Sequence, residues 1–178
     1  MDAALRADTR GMFKRTPALA LAILSLTLTA PAPASAADPV LDAEEKAFCT
    51  TINQYRAQNG RAALRVSVSL TNASKWMSND MAVKKYFSHT DSLGRTFSTR
   101  LGAFGYTFNT YKAENIAAGN ATAAATFTQW RNSSGHNTNM LNPNYTVIGI
   151  GRAYNAAAPY RYYWTTDFGG YADRTIPC

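Results

Sequence analysis

Two runs near the C-terminus, Tyr145 to Tyr154 and Tyr160 to Phe168, are rich in Tyr, Val, Ile, Thr and Trp, and Asn155-Ala156-Ala157-Ala158-Pro159 lies between them. β-Branched and aromatic residues favour strands, and the connector reads as a hairpin loop. Most of what precedes this hairpin has helical spacing. Helices first and a late hairpin of buried strands predict an α+β fold in which helices cover an antiparallel sheet. Gly149-Ile150-Gly151 interrupts the first run. No helix follows it and no third glycine is correctly spaced, so it reads as a crowded strand where backbone approaches backbone rather than a dinucleotide loop.

The helical part can be read element by element. Asp42 with Glu45 three residues on is a capping-box pattern, Leu41 is placed as a staple, and Phe48, Ile52 and Tyr55 follow at helical spacing until Asn59-Gly60. Val66, Leu70, Ala73, Met77 and Met81 draw a second stripe, widened by Trp76, which predicts a helix to about Tyr86 and delivers Ser88-His89 just beyond its end. Phe97, Leu101 and Phe104 predict a short third helix stopped by Gly105. Tyr106 to Lys112 reads as loop or edge strand, passing into a strand around Glu114 to Ala117. Thr122 can cap a fourth helix through Trp130, interrupted by Ser133-Ser134-Gly135, and a last helical turn spans Asn137 to Leu141.

Residues 1–36 are set apart from this pattern. Arg6, Arg10, Lys14 and Arg15 lead into an apolar run, Ala18 to Leu28, too short to span a bilayer, and Ala34-Ser35-Ala36 is a cleavage signal. This reads as a secretory signal peptide, leaving residues 37–178 as one domain outside the cell with no transmembrane segment. Of 18 Lys/Arg and 11 Asp/Glu, the leader holds four and two, so 14 and nine remain and the net charge falls from +7 to +5. The cations, among them Lys75, Lys84, Lys85, Arg95, Arg100, Arg152 and Arg161, are scattered, as on a solvated surface attracted to an anionic envelope. No basic stripe interleaves with stacking aromatics, which argues against nucleic acid as a partner. Cys49 and Cys178 are the only cysteines, and in an oxidising compartment they are expected to pair. Four Asn-x-Ser/Thr sequons, at Asn72, Asn120, Asn132 and Asn144, matter only in a glycosylating host.

The chemistry-bearing residues are few. The chain has two histidines, His89 and His136, and a lone glutamate, Glu114, in a carboxylate-poor half. Two imidazoles and a carboxylate form a competent ligand set for a divalent ion such as zinc, with a fourth position for water. The same residues also suit a plainer role, hydrogen-bonding the ends of their elements. A third reading is a hydrolase, with Ser133 or Ser134 as nucleophile, His136 or His89 as base and Glu114 as the orienting acid. The chain has no Gly-x-Ser-x-Gly elbow to support it.

Several ordered motifs then resemble one family. Tyr55-Arg56 with Asn59-Gly60, Tyr86-Phe87-Ser88-His89, Gly105-Tyr106, Glu114-Asn115-Ile116-Ala117-Ala118-Gly119, Trp130 to His136 with Asn139-Met140-Leu141, Gly149-Ile150-Gly151 and Tyr163-Trp164-Thr165 look like a bacterial secreted CAP (SCP-like) domain, over nearly all of residues 43 to 170. The resemblance implies an α-β-α sandwich with a central antiparallel sheet and a cleft lined by a His/Glu/Glu/His tetrad that holds a divalent metal in some members. Carried over, His89, Glu114 and His136 match three tetrad positions, and Ser133 stands where eukaryotic members have the second glutamate. The implied function is a secreted, non-enzymatic module whose cleft binds an extracellular ligand (lipid, peptide or cell-wall component), with no catalytic residue assigned. The alternative from another class is an extracellular metal- or Ser-dependent peptidase.

Overall fold

The computed structural model describes residues 37–178, so the leader and its cleavage signal lie outside the described residues. The first helix, α1 (Ala43–Gln58), opens on the expected capping box: Asp42 Oδ1 accepts from Glu45 N at 2.7 Å, and Asp42 N donates to Glu45 Oε2 at 2.8 Å. Glu45 is fully buried and also accepts from Lys75 Nζ and from Arg152 N, so one capping carboxylate ties three elements together.

A three-residue strand, β1 (Arg65–Ser67), precedes α2 (Val68–Lys84). The second stripe therefore begins one element too early: Val66 lies in the sheet, opposite Ile148 and Ile176, and not in the helix. So short a strand has no alternation to set it apart from a helical stripe, and Ser67, its last residue, caps α2 by accepting from Leu70 N. There follow α3 (Phe97–Ala103), β2 (Lys112–Ala118), α4 (Ala123–Arg131), α5 (Ser134–Leu141), β3 (Val147–Tyr154), β4 (Tyr162–Gly169) and the two-residue β5 (Thr175–Ile176). α5 starts at Ser134, three residues before the predicted turn.

The strands form one sheet in the order β2-β4-β3-β1-β5. Its β2/β4 and β3/β4 pairs are antiparallel as expected, the unforeseen β1/β5 pair is antiparallel too, and β1 runs parallel to β3, so the sheet is mixed. Helices cover both faces, giving the α-β-α sandwich. Phe48 and Ile52 of α1, Phe127 and Trp130 of α4 and Met140 of α5 meet Ile148, Ile150, Trp164 and Phe168 on one face. On the other, Met77 and Met81 of α2 meet Tyr163 and Ile116, while Leu70 and Leu101 meet Val147 and Tyr106.

The glycines of β3 let α2 lie directly on the sheet. A Cβ at Gly149 would stand 2.2 Å from the Leu70 carbonyl carbon, and one at Gly151 would stand 2.3 Å from Lys75 N. Backbone approaches backbone here, as the glycine pair predicted. Cys49 and Cys178 are joined in a disulfide across 129 residues, with Cα atoms 5.7 Å apart. A loop of that length contributes about 4–5 kcal/mol in the chain-entropy model. Among the described residues no helix is long and apolar enough to cross a membrane.

Candidate functional site

β2 is an edge strand, and successive residues of a strand face opposite sides. Glu114 therefore turns to the face carrying α2 and α3, and Asn115 to the face carrying α5. A cleft at this edge can draw side chains from both helical layers, and this brings His89 and His136 together.

The loop holding His89 is fixed from both ends by buried aspartates. Asp80 accepts from Tyr86 Oη at 2.5 Å, Ser92 N at 2.9 Å and Ser92 Oγ at 2.6 Å. Burial pushes its carboxyl up, but the bonds from Ser92 and Tyr86 outweigh that and hold it below the usual carboxylate range. Asp91 accepts from Leu93 N, Arg95 N and Arg95 Nε at 2.8–3.0 Å. The imidazole of His89 is thereby presented from an ordered turn, with 56% of its side chain exposed.

Glu114 has both oxygens engaged. Oε1 lies 2.7 Å from His89 Nδ1, and Oε2 pairs with Nη2 of Arg100, whose guanidinium is fully buried. Donation from Nδ1 fixes the His89 tautomer and leaves Nε2 for the cleft. Arg100, read from the sequence as one of the scattered surface cations, is instead an interior counter-charge to Glu114, with Asp91 3.8 Å away. Behind Glu114 stands its cross-strand partner Asp167, wholly buried, accepting from Ser74 Oγ at 2.7 Å. Its second oxygen, Oδ1, is buried and makes no hydrogen bond among the described residues. Burial first, and the Glu114 carboxylate second, raise the Asp167 carboxyl well above the usual range, against the opposing pull of Arg100.

This has a sign that can be tested. A buried Asp whose folded pKa is raised favours the fold fully only below its unfolded value of about 3.9, and stability falls as pH rises from there through the folded value. Asp167→Asn, which removes the titrating carboxyl at nearly constant shape, is expected to match the wild type near pH 4 and to melt higher at pH 7. Thermal melts at the two pH values measure this; an Asn variant destabilised equally at both would contradict it.

On the other side, Ser133 occupies the N-cap of α5, yet its hydroxyl makes no capping bond. It lies 2.9 Å from His136 Nδ1 instead. The His136 carbonyl accepts from Asn115 Nδ2 at 3.1 Å, and Asn139 Nδ2 donates to Asn115 Oδ1 at 2.8 Å, so two amides lock α5 to β2. The His136 ring lies beside fully buried Trp130, with centroids 6.0 Å apart. Burial, and secondarily the nearby His89, lower the His136 pKa, so this imidazole is neutral at pH 7.

Together these residues line an open cleft of about 570 Å³ containing His89, Glu114, His136, the hydroxyls of Ser133, Ser134 and Thr138, and the amides of Asn115 and Asn139. A neighbouring cavity of about 350 Å³ shares His89, Glu114 and Asn139 and adds Phe97 and Lys112. The four residues singled out from the sequence thus converge. Arg100 and Asp167, which surround Glu114, escaped sequence reasoning as site residues; Asn115 and Asn139 carried a signal only as members of the quoted motifs. Two chemistries can be judged on this geometry. The Ser–His contact and the His–Glu contact involve different histidines, so the serine triad is not assembled. A three-ligand ion site does not fit as the donors stand, because both Glu114 oxygens are already engaged and Arg100 adds a positive charge behind them. Among the described residues no three His, Cys, Asp or Glu side chains are grouped so as to hold an ion.

Residues 50–168 match the family model described as the cysteine-rich secretory protein family, CAP. The chain is 33% identical over 137 residues to the uncharacterized protein YkwD of Bacillus subtilis, covering 76% of this chain and 51% of YkwD. It therefore spans about half the length of that relative. Among solved structures it resembles an extracellular SCP-domain protein of Bacillus anthracis, with TM-score 0.62 and 26% identity over 71% of this chain and 40% of that one. An outer surface protein of Borrelia burgdorferi shares the fold, with TM-score 0.64 and 21% identity over 75% of this chain and 98% of that one. With the family model covering more than half of the chain, both histidines included, the chain belongs to the CAP family.

Proposed function

We propose that the protein is exported and acts outside the cell as a non-enzymatic module, its cleft binding a polar ligand through hydrogen bonds without a resident metal. The observation that carries this reading is the composition of the cleft wall: two imidazoles, three hydroxyls and two amides around one charge-paired carboxylate. Such a lining matches a ligand segment rich in amide and hydroxyl groups, a peptide or a cell-wall fragment. It does not suit a lipid tail, because the aromatics Phe48, Phe127 and Trp130 are committed to the core. The extracellular setting is supported by the leader-like residues 1–36 and by the Bacillus anthracis neighbour, described as extracellular.

The histidines make the test direct, because the chain has only two and both line the cleft. Imidazole NMR signals assigned with His89→Ala and His136→Ala, recorded while a muropeptide digest is added in the presence of EDTA, are expected to move saturably. Cleavage of the added muropeptides, lost in both variants, would instead establish the hydrolase.

A further inference from the structure

The C-terminal end of α2 and the β3–β4 loop meet and expose a set of side chains that do not line the cleft. Asn155 Nδ2 donates to the Ala82 carbonyl at 2.8 Å, fastening the loop to the helix. Phe87 and Tyr160 then touch edge to face, with centroids 6.2 Å apart. Val83, Phe87 and Tyr160 are 55%, 46% and 50% exposed. Lys84, Lys85 and Arg161 are exposed beside them and make no ion pair among the described residues. Residues 81–90 and 153–166 contain no Asp or Glu. The acids that flank the first stretch, Asp80 and Asp91, are buried and turned inward, Asp80 onto Tyr86 and Ser92 and Asp91 onto Arg95.

A second feature singles out the same place. Among the described residues the only non-glycine positions with positive φ are Lys85 (61°) and Arg161 (62°), and both are cations of this patch. Lys85 caps α2 in the left-handed region, a position glycine fills with less strain. The chain thus accepts backbone strain at two turns while keeping a positive side chain at each, and strained positions that persist are a pointer to function.

We propose that this patch docks the protein on an anionic phospholipid surface, with Phe87, Tyr160 and Val83 entering the headgroup region and Lys84, Lys85 and Arg161 pairing with lipid phosphates. Aromatic and aliphatic groups flanked by cations have the composition of interfacial anchors, and unopposed positive charge complements an anionic leaflet. The rings of Phe87 and Tyr160 are inclined at 62° and offer no flat platform for sugar rings, which favours a lipid interface over a glycan polymer. This surface is independent of the cleft ligand.

The experiment is sedimentation of the full chain with vesicles of phosphatidylglycerol and phosphatidylcholine, against phosphatidylcholine alone. Wild type and variants share any contribution of residues 1–36, so the readout is their difference. Binding to the anionic vesicles is expected, weakening as salt rises. Lys85→Gly with Arg161→Gly should weaken it roughly twenty-five-fold, from about fivefold per basic residue, while the melting temperature holds or rises because glycine relieves both turns. Phe87→Ser with Tyr160→Ser should also weaken it. Equal binding to both vesicle types, or no binding, would overturn the proposal. So would capture of soluble polyphosphate as tight as vesicle binding and unaffected by the Phe87 and Tyr160 changes, which would assign the patch to an anionic polymer.

Discussion

Gly149→Ala is expected to leave little or no cooperatively folded protein. The added methyl would fall 2.2 Å from the Leu70 carbonyl carbon, 2.3 Å from its oxygen and 2.5 Å from Thr71 N. These are backbone atoms of α2, so no side-chain rotation relieves the clash, and the helix must lift off the sheet. Overpacking a core typically costs about 1–3 kcal/mol where side chains can shift. Here the neighbours cannot, and a cost above about 4 kcal/mol is expected, a large part of the roughly 5–15 kcal/mol that holds a domain folded. Gly102→Ala provides the contrast. It lies within α3 with nothing within 4 Å of an added Cβ, and should gain about 0.5–1 kcal/mol from helix propensity. Circular-dichroism melts of the two variants measure the difference; a Gly149→Ala protein that melts within a few degrees of wild type would contradict the direct contact of α2 with β3.

The second large effect is electrostatic. Arg100→Met removes a fully buried guanidinium that faces Glu114 and Asp91, and it leaves Glu114 as a buried carboxylate beside Asp167 with no cation. Breaking a buried pair by deleting one partner costs about 3–5 kcal/mol, most of it the penalty of the stranded charge. Adding Glu114→Gln should restore a substantial part, because the neutral amide no longer needs the partner. Urea unfolding of the single and double variants measures this recovery. If Arg100→Met were as stable as wild type, Arg100 could not be the interior counter-charge described here; if the double variant were no better than the single, packing and not charge would be the cause.

These two residues mark what was and was not legible in the sequence. Gly149 announced itself: paired glycines in a strand run read as close backbone approach once a dinucleotide loop is set aside, and the capping box at Asp42 was equally local. The cleft residues His89, Glu114 and His136 were legible because rare side chains stood at the ends of predicted elements and matched one family's motifs. Arg100 was not, because an arginine in a short helix looks the same in sequence whether it faces water or a carboxylate 14 residues away. Asp167 was hidden inside a strand run, where neither its complete burial nor its cross-strand partner Glu114 can be read. The strands β1 and β5 are too short for a period of two to appear, so the parallel β1/β3 pairing was invisible as well. Local chemistry can be read along the chain, whereas burial of a charge is decided by residues that are distant in it.

The central claim, a metal-free cleft that binds an extracellular ligand between two histidines, is tested most directly on those imidazoles. With EDTA present, adding a muropeptide digest should shift both histidine signals along one saturation curve. Zn²⁺ added without the digest should leave them unshifted at equimolar protein, because Glu114 is committed to His89 and Arg100. Stoichiometric movement of both signals on adding Zn²⁺ alone, abolished by His89→Ala and by His136→Ala, would contradict the account and return Glu114 to a metal's ligand set.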